Sequence, residues 1–173
     1  MSIQIGVSST SFAKSAVLRQ KLQEGFGHKA QIHYVAPHQG ELTGDHLVQF
    51  LSTIDYAIVG KEPLDPQTLS KLPKLRGISK YGVGLDNIDF EFCQKRKIEV
   101  RYQPGVNRYQ VAELTLGLIL ALLRQISIND RRMHQGQWIK QGGTSLYGKT
   151  VGIVGCGAIG SCVAKLSRAF GCH

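Results

Sequence analysis

The chain has 173 residues, 42% of them hydrophobic and 19% charged, and carries a formal net charge of +9. That apolar fraction supports a packed core and excludes a low-complexity or disordered chain. The charge is uneven, with 12 Lys and Arg against 10 Asp and Glu in residues 1–100 and 9 against 2 in residues 101–173. No aromatic-interleaved basic stripe or recognition-helix signature accompanies the excess, so a nucleic-acid partner is not expected. A field that attracts phosphate-bearing small molecules, or a missing acidic remainder of the second segment, accounts for it.

The start "MSIQIGVSSTSFAK" has no basic n-region followed by an apolar stretch, so no signal peptide is read there. The run "LTLGLILALL" at 114–123 is about half the ~20 residues of a membrane span. A soluble, cytoplasmic protein without a membrane partner is the expectation. Cys93, Cys156, Cys162 and Cys172 form no C-x-x-C pair and have no histidine at zinc spacing. They read as free thiols, and no metal site is expected. Cys156 lies within a glycine turn, where alkylation or oxidation is expected.

Strands and helices alternate along the first hundred residues. "IQIGVS" (3–8) reads as a strand and 9–24 as a helix with apolar residues at helical spacing. "AQIHYVA" (30–36) is a strand ended by Pro37. Residues 42–51 form a helix, "DYAIVG" (55–60) a buried strand, and 69–72 closes a helix at Pro73. "LRGISKYG" (75–82) is a strand, 87–96 a helix and "KIEVRY" (97–102) a fifth strand. Such alternation implies right-handed crossovers and a parallel sheet, hence an α/β fold.

Ligands of parallel sheets sit beyond the C-terminal strand ends. The turn "KYGVGLDNID" (80–89) is at such an end. Gly82 and Gly84 let the backbone approach a ligand, and the amides near Val83 and Gly84 are candidate anion donors. A tight turn with Asp86 or Asn87 capping the next helix, and no ligand, accounts for the same spacing.

Pro104–Gly105 marks a boundary. The following "YQVAELTLGLILALLRQISI" (109–128) is apolar nearly all round, which predicts one helix buried on all sides, between layers, domains or subunits. His134 beyond it reads as a surface histidine. "TVGIVG" (150–155) is a buried type of strand, and Gly155, Gly157 and Gly160 follow in the order G-x-G-x-x-G before a helix. The first glycine permits the sharp turn, the second lets a pyrophosphate approach, and the third allows close packing. The N-terminal amides of the helix and its dipole of roughly +0.5 charge face the phosphates. An acid about 20 residues further on would separate NAD from NADP, and that position lies past His173.

With "KYGVGLDNID", "PGVNRYQVAELTLGLILALLR", "GQW" and "LYGKTVGIVGCGAIG" in order, the chain resembles the N-terminal part of a D-2-hydroxyacid dehydrogenase of the phosphoglycerate dehydrogenase-like group. The resemblance implies a flavodoxin-like, parallel-sheet substrate domain (1–103). It is followed by the first part of a Rossmann-type NAD-binding domain (104–173), with the active site between the two. It implies that the amides of Val83 and Gly84 hold a substrate carboxylate and that Gly155, Gly157, Ala158, Ile159 and Gly160 meet the cofactor. Ala112–Arg124 is implied as a homodimer helix. The family's arginine, glutamate and general acid/base histidine come from further along such enzymes. None of His28, His33, His38, His46, His134 or His173 matches that histidine, so no catalytic residue is assigned here.

The expectation is therefore an N-terminal fragment of an NAD-dependent oxidoreductase, NADP not excluded, acting on a 2-hydroxy or 2-oxo acid with 3-phosphoglycerate among the candidates. The chain alone is expected to be inactive. The other reading is a non-catalytic, dimerising or NADH-binding partner of a full-length or split dehydrogenase, joined through the apolar helix or by a complementing C-terminal half.

Overall fold

A computed structural model describes residues 2–36, 40–140 and 142–173. The end of the second predicted strand at Pro37, together with His38, lies outside the described residues. The chain divides into two compact units, Met1–Pro104 and Gly105–His173.

The first unit is a five-stranded, wholly parallel sheet in the order β2-β1-β3-β4-β5. Its strands are β1 (Ile3–Val7), β2 (Ala30–Tyr34), β3 (Tyr56–Val59), β4 (Gly77–Lys80) and β5 (Glu99–Arg101). This is the strand order of the flavodoxin-like doubly wound sheet. In register, Ile5 pairs with Tyr56, which pairs with Gly77, which pairs with Glu99. Residues two apart therefore share a face.

On one face Ala57, Val59 and Ile78 meet the helices α3 (Gly44–Leu51), α4 (Pro66–Ser70) and α5 (Phe90–Lys95). Val7, Leu47, Leu51, Val59, Leu64, Leu69 and Leu72 are fully buried in that core, each large aliphatic side chain contributing roughly 1.5–3 kcal/mol. On the opposite face Tyr56, Ile58 and Ser79 border an apolar hollow of about 470 Å³ with Ile3, Leu22 and Phe26.

The predicted helix over 9–24 is two helices, α1 (Thr10–Lys14) and α2 (Ala16–Phe26). The break is at Ser15, whose N–H bonds Phe12 while its hydroxyl accepts the Leu18 amide at 3.4 Å. A serine that caps locally competes with helix continuation. α4 ends at Ser70, short of Pro73. α5 starts at Phe90 rather than 87.

The second unit holds α6 (Arg108–Leu123), α7 (Ile126–His134) and α8 (Ala158–Ala169). The single helix predicted over 109–128 is broken: Gln125 adopts a left-handed φ of 54°, and α6 and α7 diverge by 62°. Among the described residues no single helix is long and apolar enough to cross a membrane. α6 is not buried on all sides either. Ala112 and Leu116 are buried, whereas Leu114, Leu118 and Leu122, spaced four apart, are 62%, 56% and 79% exposed. Leu116 joins Leu146 and Cys172 in a small core with Ile119, Leu120, Leu123, Val151 and Leu166.

The predicted strand at 150–155 is an extended segment rather than a paired strand. His173 donates to the Lys149 carbonyl and Val151 donates to the His173 carbonyl, both at 2.9 Å. That is the hydrogen-bond pattern of one parallel step. Beyond it residues 152–155 find no strand neighbour among the described residues, and Val154 is fully exposed. A buried parallel strand needs partners on both edges and cover on both faces, and a one-step pairing supplies neither.

Candidate functional site

Two sites follow from the strand ends and the glycine turn, one in each unit. In the first unit, the β1–β3 boundary is where the connections change direction across the sheet, the point at which open α/β sheets bind their ligands. Ser8 and Ser9 follow β1 and are buried, with the Ser8 N–H bonded to Ile58 at 3.0 Å. Gly60–Glu62 follows β3. A Cβ at Gly60 would stand 3.1 Å from the Ser9 hydroxyl, so that turn is packed close against the end of β1.

The loop 81–86 follows β4. Tyr81 donates its N–H to Val59 at 2.8 Å, and its ring meets Phe12 edge-on at 5.3 Å. Gly82 has a φ of 136°, a value L side chains rarely adopt. Val83 is half-buried and Gly84 exposed. A Cβ at Gly84 would approach the Asp86 carboxylate to 3.1 Å.

Polar groups bind both ends of this loop. Lys80 Nζ donates to the Gly60 carbonyl and, at 2.5 Å, to Asn87 Oδ1. Asn87 Nδ2 donates to the Glu62 carbonyl at 2.7 Å and to that of Gly60 at 3.3 Å. Glu62, 2% exposed, accepts the Gly60 N–H at 2.5 Å. Burial pulls the Lys80 ammonium below the usual lysine value, partly offset by Asp86 and Glu62. Asn87 is therefore no helix cap, and neither is Asp86. Asp89 caps α5, accepting the Phe92 N–H at 2.7 Å. Sequence reasoning missed Lys80, Glu62 and the inward role of Asn87, because asparagine before a helix reads as a cap and a loop glutamate as solvated.

In the second unit the glycine turn leads straight into α8. Gly155 has a φ of 91°, and Gly157 is the N-cap with no side-chain hydrogen bond. A Cβ at either residue would meet open space. At Gly160 it would collide with the Gly155 carbonyl oxygen. Ala158 and Ile159 begin α8 and are exposed, with no side chain competing for the first-turn amides. Ser161 turns inward, its hydroxyl donating to Gly157 at 2.7 Å and Cys156 at 3.1 Å. A turn with open space before unpaired helix amides suits a pyrophosphate. Cys156 is exposed, Cys162 half-buried, Cys93 and Cys172 buried, and all four are free.

His134 lies on the surface of α7, its Nδ1 3.0 Å from the Asp130 carbonyl. His33 Nε2 pairs with Gln4 Oε1 at 2.7 Å. Among the described residues no three metal-ligating side chains come together.

The chain is similar to several known proteins. A glyoxylate/hydroxypyruvate reductase A of Arabidopsis thaliana is 39% identical over 143 residues, covering 80% of this chain and 44% of the relative. A D-3-phosphoglycerate dehydrogenase of Methanocaldococcus jannaschii is 37% identical over 133 residues, 75% of this chain and 25% of that one. The solved structure of NAD+-bound 3-phosphoglycerate dehydrogenase of Entamoeba histolytica superposes with a TM-score of 0.78 at 25% identity, covering 99% of this chain and 52% of its own. The chain thus spans about half or less of the length of these relatives. The family model for the D-isomer specific 2-hydroxyacid dehydrogenase catalytic domain matches residues 11–168, and the chain belongs to that family.

Proposed function

We propose that the chain supplies the carboxylate loop and the cofactor turn of an NAD-dependent D-2-hydroxyacid dehydrogenase. The observation that carries this reading is the glycine turn: open space before Gly155 and Gly157, and a third glycine packed on the carbonyl of the first. NAD supplies a hydride acceptor, the nicotinamide C4, for the hydrogen on C2 of a 2-hydroxy acid. The first-turn amides of α8, at Ala158, Ile159 and Gly160, bind pyrophosphate oxygens, with Gly157 allowing the close approach. The amides of Val83 and Gly84 bind the substrate carboxylate and orient C2.

Small 2-oxo and 2-hydroxy acids are the substrate class, and NADP remains an alternative to NAD. A cytoplasmic location goes with this reading, supported by four free thiols. The 173-residue chain by itself has no acid/base assignment and is inactive.

Titrating the 15N-labelled chain with NADH tests the cofactor assignment. The amides of residues 157–160 should shift saturably, and their silence overturns it. Turnover of glyoxylate with NADH well above a blank would overturn the inactivity.

A second reading, a dimerising or NADH-binding partner without turnover, is favoured by the exposed Leu114, Leu118 and Leu122 row on α6. In it, a second copy, a full-length dehydrogenase or a complementing half covers that row.

A further inference from the structure

The loop 81–86 contains two glycines in six residues, one of them at a φ of 136°. Glycine gives such a loop its shape but also the largest freedom to lose it. Something outside the loop must hold it. Its flanking residues, Lys80 and Asn87, are joined to each other through Nζ and Oδ1, which closes the six residues into a ring.

The same two side chains fasten that ring to the turn after β3. Both donate to the Gly60 carbonyl, and Asn87 donates to the Glu62 carbonyl as well. The buried Glu62 carboxylate takes the Gly60 N–H, so both main-chain groups of Gly60 are fixed. Main-chain bonds continue the seam, Leu64 donating to the Asn87 carbonyl at 2.8 Å and Asp89 to the Leu64 carbonyl at 3.1 Å. All the polar atoms of the Asn87 side chain are used inward, and the Lys80 ammonium is held by the same frame rather than standing free.

The geometry points to Lys80 and Asn87 as positioning residues that hold the Val83 and Gly84 amides in their anion-binding arrangement before a ligand arrives. This rests on the carboxylate reading of the loop given above. A donor pair fixed in advance loses less entropy when its ligand binds, so loosening the clamp weakens binding without removing any contact to the ligand.

The test uses the full 15N-labelled chain, glyoxylate as the probe, and 15N relaxation without it. In Asn87→Ala and Lys80→Met the order parameters of residues 81–86 should fall below about 0.6 while β3 and β4 stay rigid. The glyoxylate Kd read at Val83 and Gly84 should rise about tenfold or more. Asn87→Asp keeps an acceptor for Lys80 but sets a carboxylate against two carbonyl oxygens, so it should loosen residues 60–64 too. Lys80→Arg, which keeps the donors, should restore part of the affinity, and it decides the matter should Asn87→Ala fail to fold. Wild-type binding at Val83 and Gly84 that both disruptive variants keep in full, or a loop that stays rigid in them, overturns the clamp alone. No glyoxylate shift in the wild type overturns the carboxylate reading, and with it the purpose assigned to the clamp.

Discussion

Asp89 accepts the Phe92 N–H at 2.7 Å, and this one bond sets where α5 begins. Because the cap sits at Asp89, the two residues before Ile88 are not part of a helix start, and Asn87 is left to turn back toward the strand ends. Removing the cap should destabilise the first unit without touching the loop's own side chains. Asp89→Ala is expected to cost about 1 kcal/mol, measured as a lowered urea midpoint at unchanged slope.

Lys80 carries a pH signature. Its ammonium is held below the ordinary lysine value of 10.5, mainly by burial. A folded pKa below the unfolded one means that keeping the charge costs stability at neutral pH. That cost fades as pH rises through the folded pKa toward 10.5. Wild type should therefore gain stability relative to Lys80→Met as pH is raised through the window just below 10.5, read from paired urea titrations. A constant difference across that window would count against a strained ammonium.

Thiol reactivity should follow exposure. Cys156 is open to solvent in the glycine turn, while Cys93 and Cys172 are buried. The Cys93 thiol is also pushed up by burial and then by Asp89, which lowers its thiolate fraction. Iodoacetamide followed by peptide mass mapping should label Cys156 well before Cys93. NADH should slow labelling at Cys156 only, because a bound pyrophosphate would cover the turn. Equal rates with and without NADH would argue against cofactor binding there.

The row Leu114, Leu118 and Leu122 offers a direct test of self-association. Sedimentation of the wild-type chain should report a dimer, and Leu118→Glu should shift it to monomer by burying a charge in the contact. A monomeric wild type would leave the row to a different polypeptide.

Much of this architecture is written plainly in the chain. The βα alternation is legible because Gly and Pro interrupt each apolar run, and the unit boundary falls where Pro104 and Gly105 stand together. Strand order is not readable from periodicity, and here it came with the family resemblance. The break at Gln125 was hidden because nothing in "RQIS" is a helix breaker, yet a non-glycine residue takes φ of 54° there. The run 150–155 read as a buried strand because composition registers what a segment can bury, not whether a neighbour is present to bury it. At the site, Val83 and Gly84 could be marked from glycine spacing. The clamp beneath them could not, since Lys80, Gly60, Glu62 and Asn87 meet only after β3 and β4 have paired.

Gly160 has a consequence at the level of the gene. Any Cβ there overlaps the Gly155 carbonyl oxygen, and every missense change of a glycine codon introduces a Cβ. Codon 160 thus has no conservative neighbour: alanine and serine, harmless almost anywhere else on a helix, would here push the turn open. A variant library of this chain should show position 160 depleted of every substitution, while Gly157, facing open space, tolerates small residues for folding and loses them only under selection for cofactor binding.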